Sequence, residues 1–256
     1  MIDARALVDS SVLIGDDVTV GPFTVIEAGV SIGPGNWIGP NVVIRKNTTI
    51  GAKNKIYQFS SIGEDPQFTG YLDEETFLVI GDRNTIREYC TLNRGSPVGS
   101  GMTRIGSDNL IMAYAHIAHD STLGDHITFA NGASLAGHVE IGDYAILGGF
   151  TLVHQFCRIG SHSITGIGTV CLKDVLPYTV ATGNTAVPRG INTKGLRPRG
   201  FSETTIQDLR HAYRFIYRNG LTQAVALEKL GEVANSVPEV AILVEFIRNS
   251  RRGIIR

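Results

Sequence analysis

The stretch IMAYAHIAHD at 111–120 holds two histidines three residues apart, His116 and His119, with Asp120 directly after the second. An imidazole titrates near neutral pH, so it can take a proton from an attacking hydroxyl or amine, and a neighbouring carboxylate can orient the ring and stabilise its charged form. The same side chains would also suit a metal ion. A third reading is two imidazoles on a solvated surface with no chemistry at all. His138 and His154 follow, and these four of the seven histidines, with His126 set apart below, cluster within residues 116–154, a density that favours a site over scattered surface residues.

What must position them is a repeat. Every sixth residue from Ile2 to Ile62 is Ile or Val; the same phase returns at Ile80, Ile86 and Leu92, and after a one-residue shift it runs from Ile105 to Ile159. A period of six fits neither a 3.6-residue helix nor a long strand. It fits a short strand and a turn, repeated three times per 18-residue coil, with the aliphatic residue inside a prism-shaped core. The fifth position of each unit is small or slender, as at Val12, Thr24, Val42, Ser60, Ala133 and Thr151. Asn36 and Asn54 share that phase and are expected to form an amide ladder. Cys90 and Cys157 fall on it too, and with Cys171 read as buried hydrophobes rather than reactive thiols. In this register Ile111 and Ile117 point inward, which leaves His116 and His119 outward at a corner, near His138 and His154. His126 and His162, with Tyr144 between them, form a separate structural column.

Two segments interrupt the repeat, at about 63–79 and 93–104, and long loops on a regular scaffold are usually functional. The coil is expected to span 1–190. A helical domain over 191–256 follows, with Ser202 capping a helix that ends at Gly220, a second helix opening near Thr222, and a third with Pro238 in its first turn. Residues 194–256 carry 11 Lys and Arg against 6 Asp and Glu, so an acidic partner near this end is expected. Nucleic acid is not. No run is long and apolar enough to span a bilayer, the N-terminus lacks a charged head before an apolar stretch, and three unpaired cysteines suit a reducing, cytoplasmic setting.

The segments IYQFSSIGE at 56–64, IGDRNTIRE at 80–88, IGSDNLIMAYAHIAHD at 105–120, LAGHV at 135–139, VHQFCRIG at 153–160 and RGF at 199–201 resemble the UDP-N-acetylglucosamine O-acyltransferases of lipid A biosynthesis. The resemblance covers the whole chain. It implies a left-handed parallel β-helix with a C-terminal helical domain, a homotrimer with active sites between adjacent coils, and transfer of a 3-hydroxyacyl chain from acyl-carrier protein to the 3-position of the sugar. It makes His119 the general base, Asp120 its orienting partner and the Gly137 N–H an oxyanion donor. His116, His138, His154 and Gln155 would contact sugar, diphosphate or pantetheine; Gln67, Asn192 and Arg199 would also bind substrate. No cofactor and no metal are implied, since the thioester is itself a substrate. Ile167 stands where long-chain members carry Gly, which makes it the expected ruler of a shorter acyl chain.

Departures from the family pattern are informative. The loop motif Q-D-L-K-Y is here Gln67, Phe68, Thr69, Gly70 and Tyr71, so both charged contacts to the sugar are gone. T-I-H-R-G-T becomes Thr91 to Ser96 with Asn93 replacing the histidine, and the usual Glu near the tail is Lys194. The loop changes open the same reaction on a 3-amino UDP-sugar as an alternative; a coenzyme A-dependent sugar N-acyltransferase and a zinc-dependent γ-type carbonic anhydrase, which also places histidines on such a coil, remain as other function classes.

Overall fold

The computed structural model describes residues 1–256. Strands of two to five residues alternate with tight turns from Leu7 to Ile191. In the regular coils pairing advances by 18 residues, Leu7 with Val25 and Val25 with Val43, so each strand hydrogen-bonds to its counterpart one coil away. Three sheets result, of nine, eight and ten strands, which form the walls of a triangular prism. We call them sheet I (which includes His116–Ile117), sheet II (Thr122–Leu123) and sheet III (Thr128–Phe129), in the order in which the chain visits them.

The six-residue phase maps onto this prism directly. From Ile26 to Ile159 the recurring aliphatic residue is buried, in one core of 37 residues. Each fully buried Ile contributes about 2 kcal/mol, and stacking such layers is what holds so many two-residue strands in place. Ile2, Val8 and Ile14 share the phase but stay partly or largely exposed, because the first coil has no neighbour beyond it. The fifth-position asparagines form a longer and differently bonded ladder than expected. The side-chain oxygens of Asn36, Asn54, Asn84 and Asn109 accept the backbone N–H of the next coil at 2.7–2.9 Å, rather than pairing mainly with each other. All three cysteines are buried, and burial pushes the Cys90 thiol up to about 12.

Both excursions leave the corner between sheets I and II. They are shorter than the sequence indicates, because the strands Ser61–Glu64, Phe77–Ile80 and Met102–Ile105 carry the ladder into their ends. Arg94, fully buried, joins the two loops: it donates to Gly63 O at 2.5 Å and to Tyr71 Oη at 3.1 Å, and pairs with Asp65.

Beyond the last coil the chain forms an antiparallel hairpin, Thr179–Thr182 with Val187–Ile191, which the repeat does not announce. Then come α1 (Thr193–Leu196), a 3-10 turn (Arg197–Arg199), α2 (Glu203–Tyr217), α3 (Gln223–Ala234) and α4 (Pro238–Arg248). Ser202 and Thr222 cap α2 and α3, accepting the N–H of Thr205 and Val225. A second core of 14 residues joins these helices to Leu176 and Tyr178 of the coil. Buried Asp174 ties down the tail, accepting from Ser250 Oγ at 2.6 Å and the Arg158 N–H at 2.8 Å.

Candidate active site

Each corner of the prism places one residue in the left-handed backbone region, at a cost of about 1 kcal/mol for a non-glycine residue. Between sheets I and II these are Asp120 (φ 59°), His138 (φ 61°) and Phe156 (φ 63°), one per coil. The residue before each forms a parallel column: His119, Gly137, Gln155. The hydrogen bonds from His138 N–H to His119 O and from Phe156 N–H to Gly137 O fix this register. His119 therefore lies over a glycine on the next coil.

That glycine is required by space. A Cβ on Gly137 would come 2.5 Å from His119 Cε1 and 2.7 Å from Nε2. The imidazole thus lays its Cε1–Nε2 edge against Gly137, whose N–H makes no hydrogen bond within the protein. On the other edge Nδ1 meets Asp120 Oδ2 at 2.8 Å. With Nδ1–H donated to a carboxylate, Nε2 is left free to accept a proton.

Asp120 is held from several sides. Oδ2 accepts the Ser96 N–H at 3.0 Å and the Ser96 hydroxyl at 2.6 Å, Ser100 Oγ donates to Oδ1 at 3.2 Å, and the Asp120 N–H donates to Thr103 Oγ1 at 2.9 Å. Burial alone would raise the carboxyl pKa, but the hydrogen bonds from His119 and Ser96 outweigh it and hold Asp120 well below the usual carboxylate range. His138 Nε2 lies 3.8 Å from the same oxygen, and its ring stacks on Phe156 at 4.5 Å. Burial lowers the His138 pKa, against the opposing pull of Asp120. A cleft of about 910 Å³ opens beside Asp120 and His138, walled by Phe156, Arg158, Arg248 and Arg251.

The ligand atoms of His119, Asp120 and His138 lie within 4.8 Å of one another, a grouping that could also receive a metal ion. Its carboxylate oxygen Oδ2 already takes hydrogen bonds from His119 and twice from Ser96.

The other expected site residues divide into groups. His116 sits within the strand His116–Ile117 rather than at the corner, on the outer face of sheet I, with Nδ1 2.7 Å from Thr91 Oγ1. Burial lowers its pKa. His154 follows one coil beyond Ala136 at the same corner and accepts from Arg252 at 3.1 Å. Gln155 and Gln67 are exposed there, Gln67 on the first excursion. Asn192 and Arg199 lie elsewhere, at the corner between sheets II and III. There His126, Tyr144, His162 and Tyr178 stack coil upon coil with centroids 4.6–5.7 Å apart. Arg199 lies over Tyr144 at 4.9 Å, and Asn192 Nδ2 donates to His162 O at 2.8 Å. Ile167 is at the third corner, between sheets III and I, 80% exposed.

A sequence profile of the UDP N-acetylglucosamine O-acyltransferase family (domain 2) matches residues 174–255, and the bacterial transferase hexapeptide profile matches 29–64 and 102–137. The acyl-[acyl-carrier-protein]--UDP-N-acetylglucosamine O-acyltransferase of Pseudomonas savastanoi pv. phaseolicola is 52% identical over 256 residues, covering 100% of this chain and 99% of its own length. The chain belongs to the UDP-N-acetylglucosamine O-acyltransferase family. The family enzyme of Halorhodospira halophila is 53% identical over 255 residues, again across 100% of this chain and 99% of its own. Among solved structures, the acyltransferase LpxA of Acinetobacter baumannii superposes with TM-score 0.97 at 46% identity, covering 100% of this chain and 99% of that one. The UDP-N-acetylglucosamine acyltransferase of Arabidopsis does so with TM-score 0.88 at 34% identity over 100% of both chains. This acyltransferase has no helix long and apolar enough to cross a membrane.

Sequence reasoning missed three contributors to this site. Ser96 and Ser100 hold Asp120 from within the second excursion, and Thr103 from the strand Met102–Ile105 that closes it, where nothing periodic marks them; hydroxyls in a Gly-rich loop next to a repeat were the available signal. Phe68, in the loop where the resemblance puts an Asp, has its ring centroid 6.4 Å from that of His119.

Proposed function

We propose that this acyltransferase moves a 3-hydroxyacyl chain from acyl-carrier protein to the 3-hydroxyl of UDP-N-acetylglucosamine, with His119 as general base. The observation that carries this is the orientation of the His119 ring, with Nδ1 on Asp120 and its Cε1–Nε2 edge against Gly137, whose N–H is unengaged. As the 3-hydroxyl attacks the thioester carbonyl, Nε2 takes its proton, and Asp120 stabilises the imidazolium. The carbonyl oxygen becomes an oxyanion that the Gly137 N–H can receive. Collapse breaks the carbon–sulfur bond, and the departing pantetheine thiolate regains the proton from His119.

The assembly that fits this reading is a homotrimer. In one chain the base stands at one corner of the prism while Asn192 and Arg199 stand at another, so a neighbouring copy is needed to bring nucleotide contacts and base together. An exposed column at the third corner, Phe59, Tyr89 and Tyr114, stacked at 5.1 and 5.0 Å, offers an apolar edge for such a neighbour. A cytoplasmic setting accords with the carrier-protein donor and with three free thiols.

A second reading keeps the base and changes the acceptor to a 3-amino UDP-sugar, giving an amide. Phe68 beside His119 and exposed Gly70 favour it, because two charged contacts to the hydroxyl sugar are absent. Mass analysis of products from a panel of acyl-carrier proteins offered with each UDP-sugar separates the two. A preference for the hydroxyl sugar, or equal turnover of both, removes the second reading. Full activity in His119→Ala would sink both.

A further inference from the structure

A cavity of about 260 Å³ lies where the terminal hairpin meets the end of α2, lined by Arg189, Arg218, Arg256, Tyr213 and Tyr217. None of its residues belongs to the acyl-transfer site. Arg189 projects from the strand Val187–Ile191, where its Nε donates to Thr182 Oγ1 at 2.7 Å. Arg218 follows the last turn of α2. None of the three guanidinium groups is paired with a carboxylate, whereas Arg83, Arg158 and Arg197 all are.

The two tyrosines sharpen the picture. They are one helical turn apart, with ring centroids 4.9 Å from each other. The hydroxyls of both are buried and find no hydrogen-bond partner in the protein, although Tyr213 as a whole is only 8% exposed. A buried phenol left without a partner costs roughly 1–3 kcal/mol, and both tyrosines line this one cavity, so a ligand whose acceptors reach their hydroxyls would be favoured. Burial raises the Tyr217 pKa, which keeps its proton available for donation.

We infer that this cavity binds a phosphate group. Three unpaired guanidinium forks and two phenol donors provide more hydrogen bonds than a single carboxylate can accept, and they suit the oxygens of a tetrahedral dianion. The group can come from a free phosphate or phosphomonoester, or from a phospholipid head group. The chemistry is shared, and the test separates the sources.

The test is calorimetric titration of the full chain with inorganic phosphate and with pyrophosphate, and co-sedimentation with phosphatidylcholine vesicles containing phosphatidate. Arg199→Gln serves as a control for binding at the sugar-nucleotide site. Saturable binding of phosphate or pyrophosphate that survives in Arg199→Gln and weakens about tenfold or more in Arg189→Gln and in Arg218→Gln supports a soluble ligand. The same variant pattern with vesicles alone supports a head group. Both tested arginines are exposed, and acyl transfer is expected to continue unchanged in their variants, which reports that they fold. Tyr217→Phe tests the phenol separately and should give a smaller loss. No saturable binding of any probe, or equal binding by wild type and both arginine variants, overturns the inference.

Discussion

Ser96 grips Asp120 twice, with its backbone N–H at 3.0 Å and its hydroxyl at 2.6 Å, both on the oxygen that also receives His119 Nδ1. The base is therefore positioned from the second excursion, through a carboxylate it shares with a loop serine. Ser96→Ala should lower kcat about tenfold with KM little changed, because it loosens the group that orients His119 without touching substrate. Fewer donors on Asp120 make the carboxylate a stronger partner for the imidazolium. The acid limb of the kcat profile should accordingly move to higher pH, a shift that loss of packing alone would not produce. An unchanged profile with unchanged kcat removes Ser96 from the positioning set. Asp120→Asn should cost more, since it removes the charge that stabilises the imidazolium and puts an NH2 donor in place of one acceptor oxygen, which disturbs the tautomer.

The contact between Gly137 and His119 predicts a second phenotype. A methyl group at 137 would overlap the imidazole at 2.5 Å, and the ring is the part that can move. Gly137→Ala should leave the fold and the melting temperature close to wild type while turnover drops by on the order of a hundredfold, the scale of a misplaced base and oxyanion donor. Near-normal turnover in a folded Gly137→Ala protein would contradict the proposed geometry.

The coil was legible in the sequence because one residue in six reports directly on a repeated environment. From Ile26 onward every inward position in the phase is buried, and the corner between sheets I and II collects His119, His138 and His154 as the register implies. What the phase cannot encode is loop structure. Nothing in the phase marks Arg94, yet it is wholly buried between the excursions; the Ser96 and Ser100 hydroxyls on Asp120 lie in a stretch with no period at all. The separation of Arg199 from His119 was hidden for another reason. A residue after the last coil can return to any of three corners, and packing of α1 and the 3-10 turn against the His162 column decides which.

Ile167 gives a prediction about chain length. It protrudes from the corner between sheets III and I, flanked by Gly166 and Gly168, where a neighbouring copy would meet it. Its side chain fills part of any slot there, so Ile167→Gly should move the preferred acyl donor to chains about two to four carbons longer. Competition between carrier proteins bearing different chains, read by product mass, measures this. An unaltered preference would mean that another residue sets the length.

The His162 column predicts how stability depends on pH. Burial, aided by the Arg199 guanidinium, lowers His162 from 6.5 to about 4, so it is neutral in the folded protein at pH values where the unfolded chain would protonate it. Between these values the unfolded state binds more protons, and stability rises with pH. The contribution is fully present above pH 6.5 and is lost as pH falls toward 4. His162→Phe keeps an aromatic ring between Tyr144 and Tyr178, which stack on it at 4.9 and 5.7 Å, but removes the titration. Its melting temperature should fall less steeply than that of wild type over this window, even if the two proteins differ at pH 7. Parallel curves would show that the His162 proton is not coupled to folding.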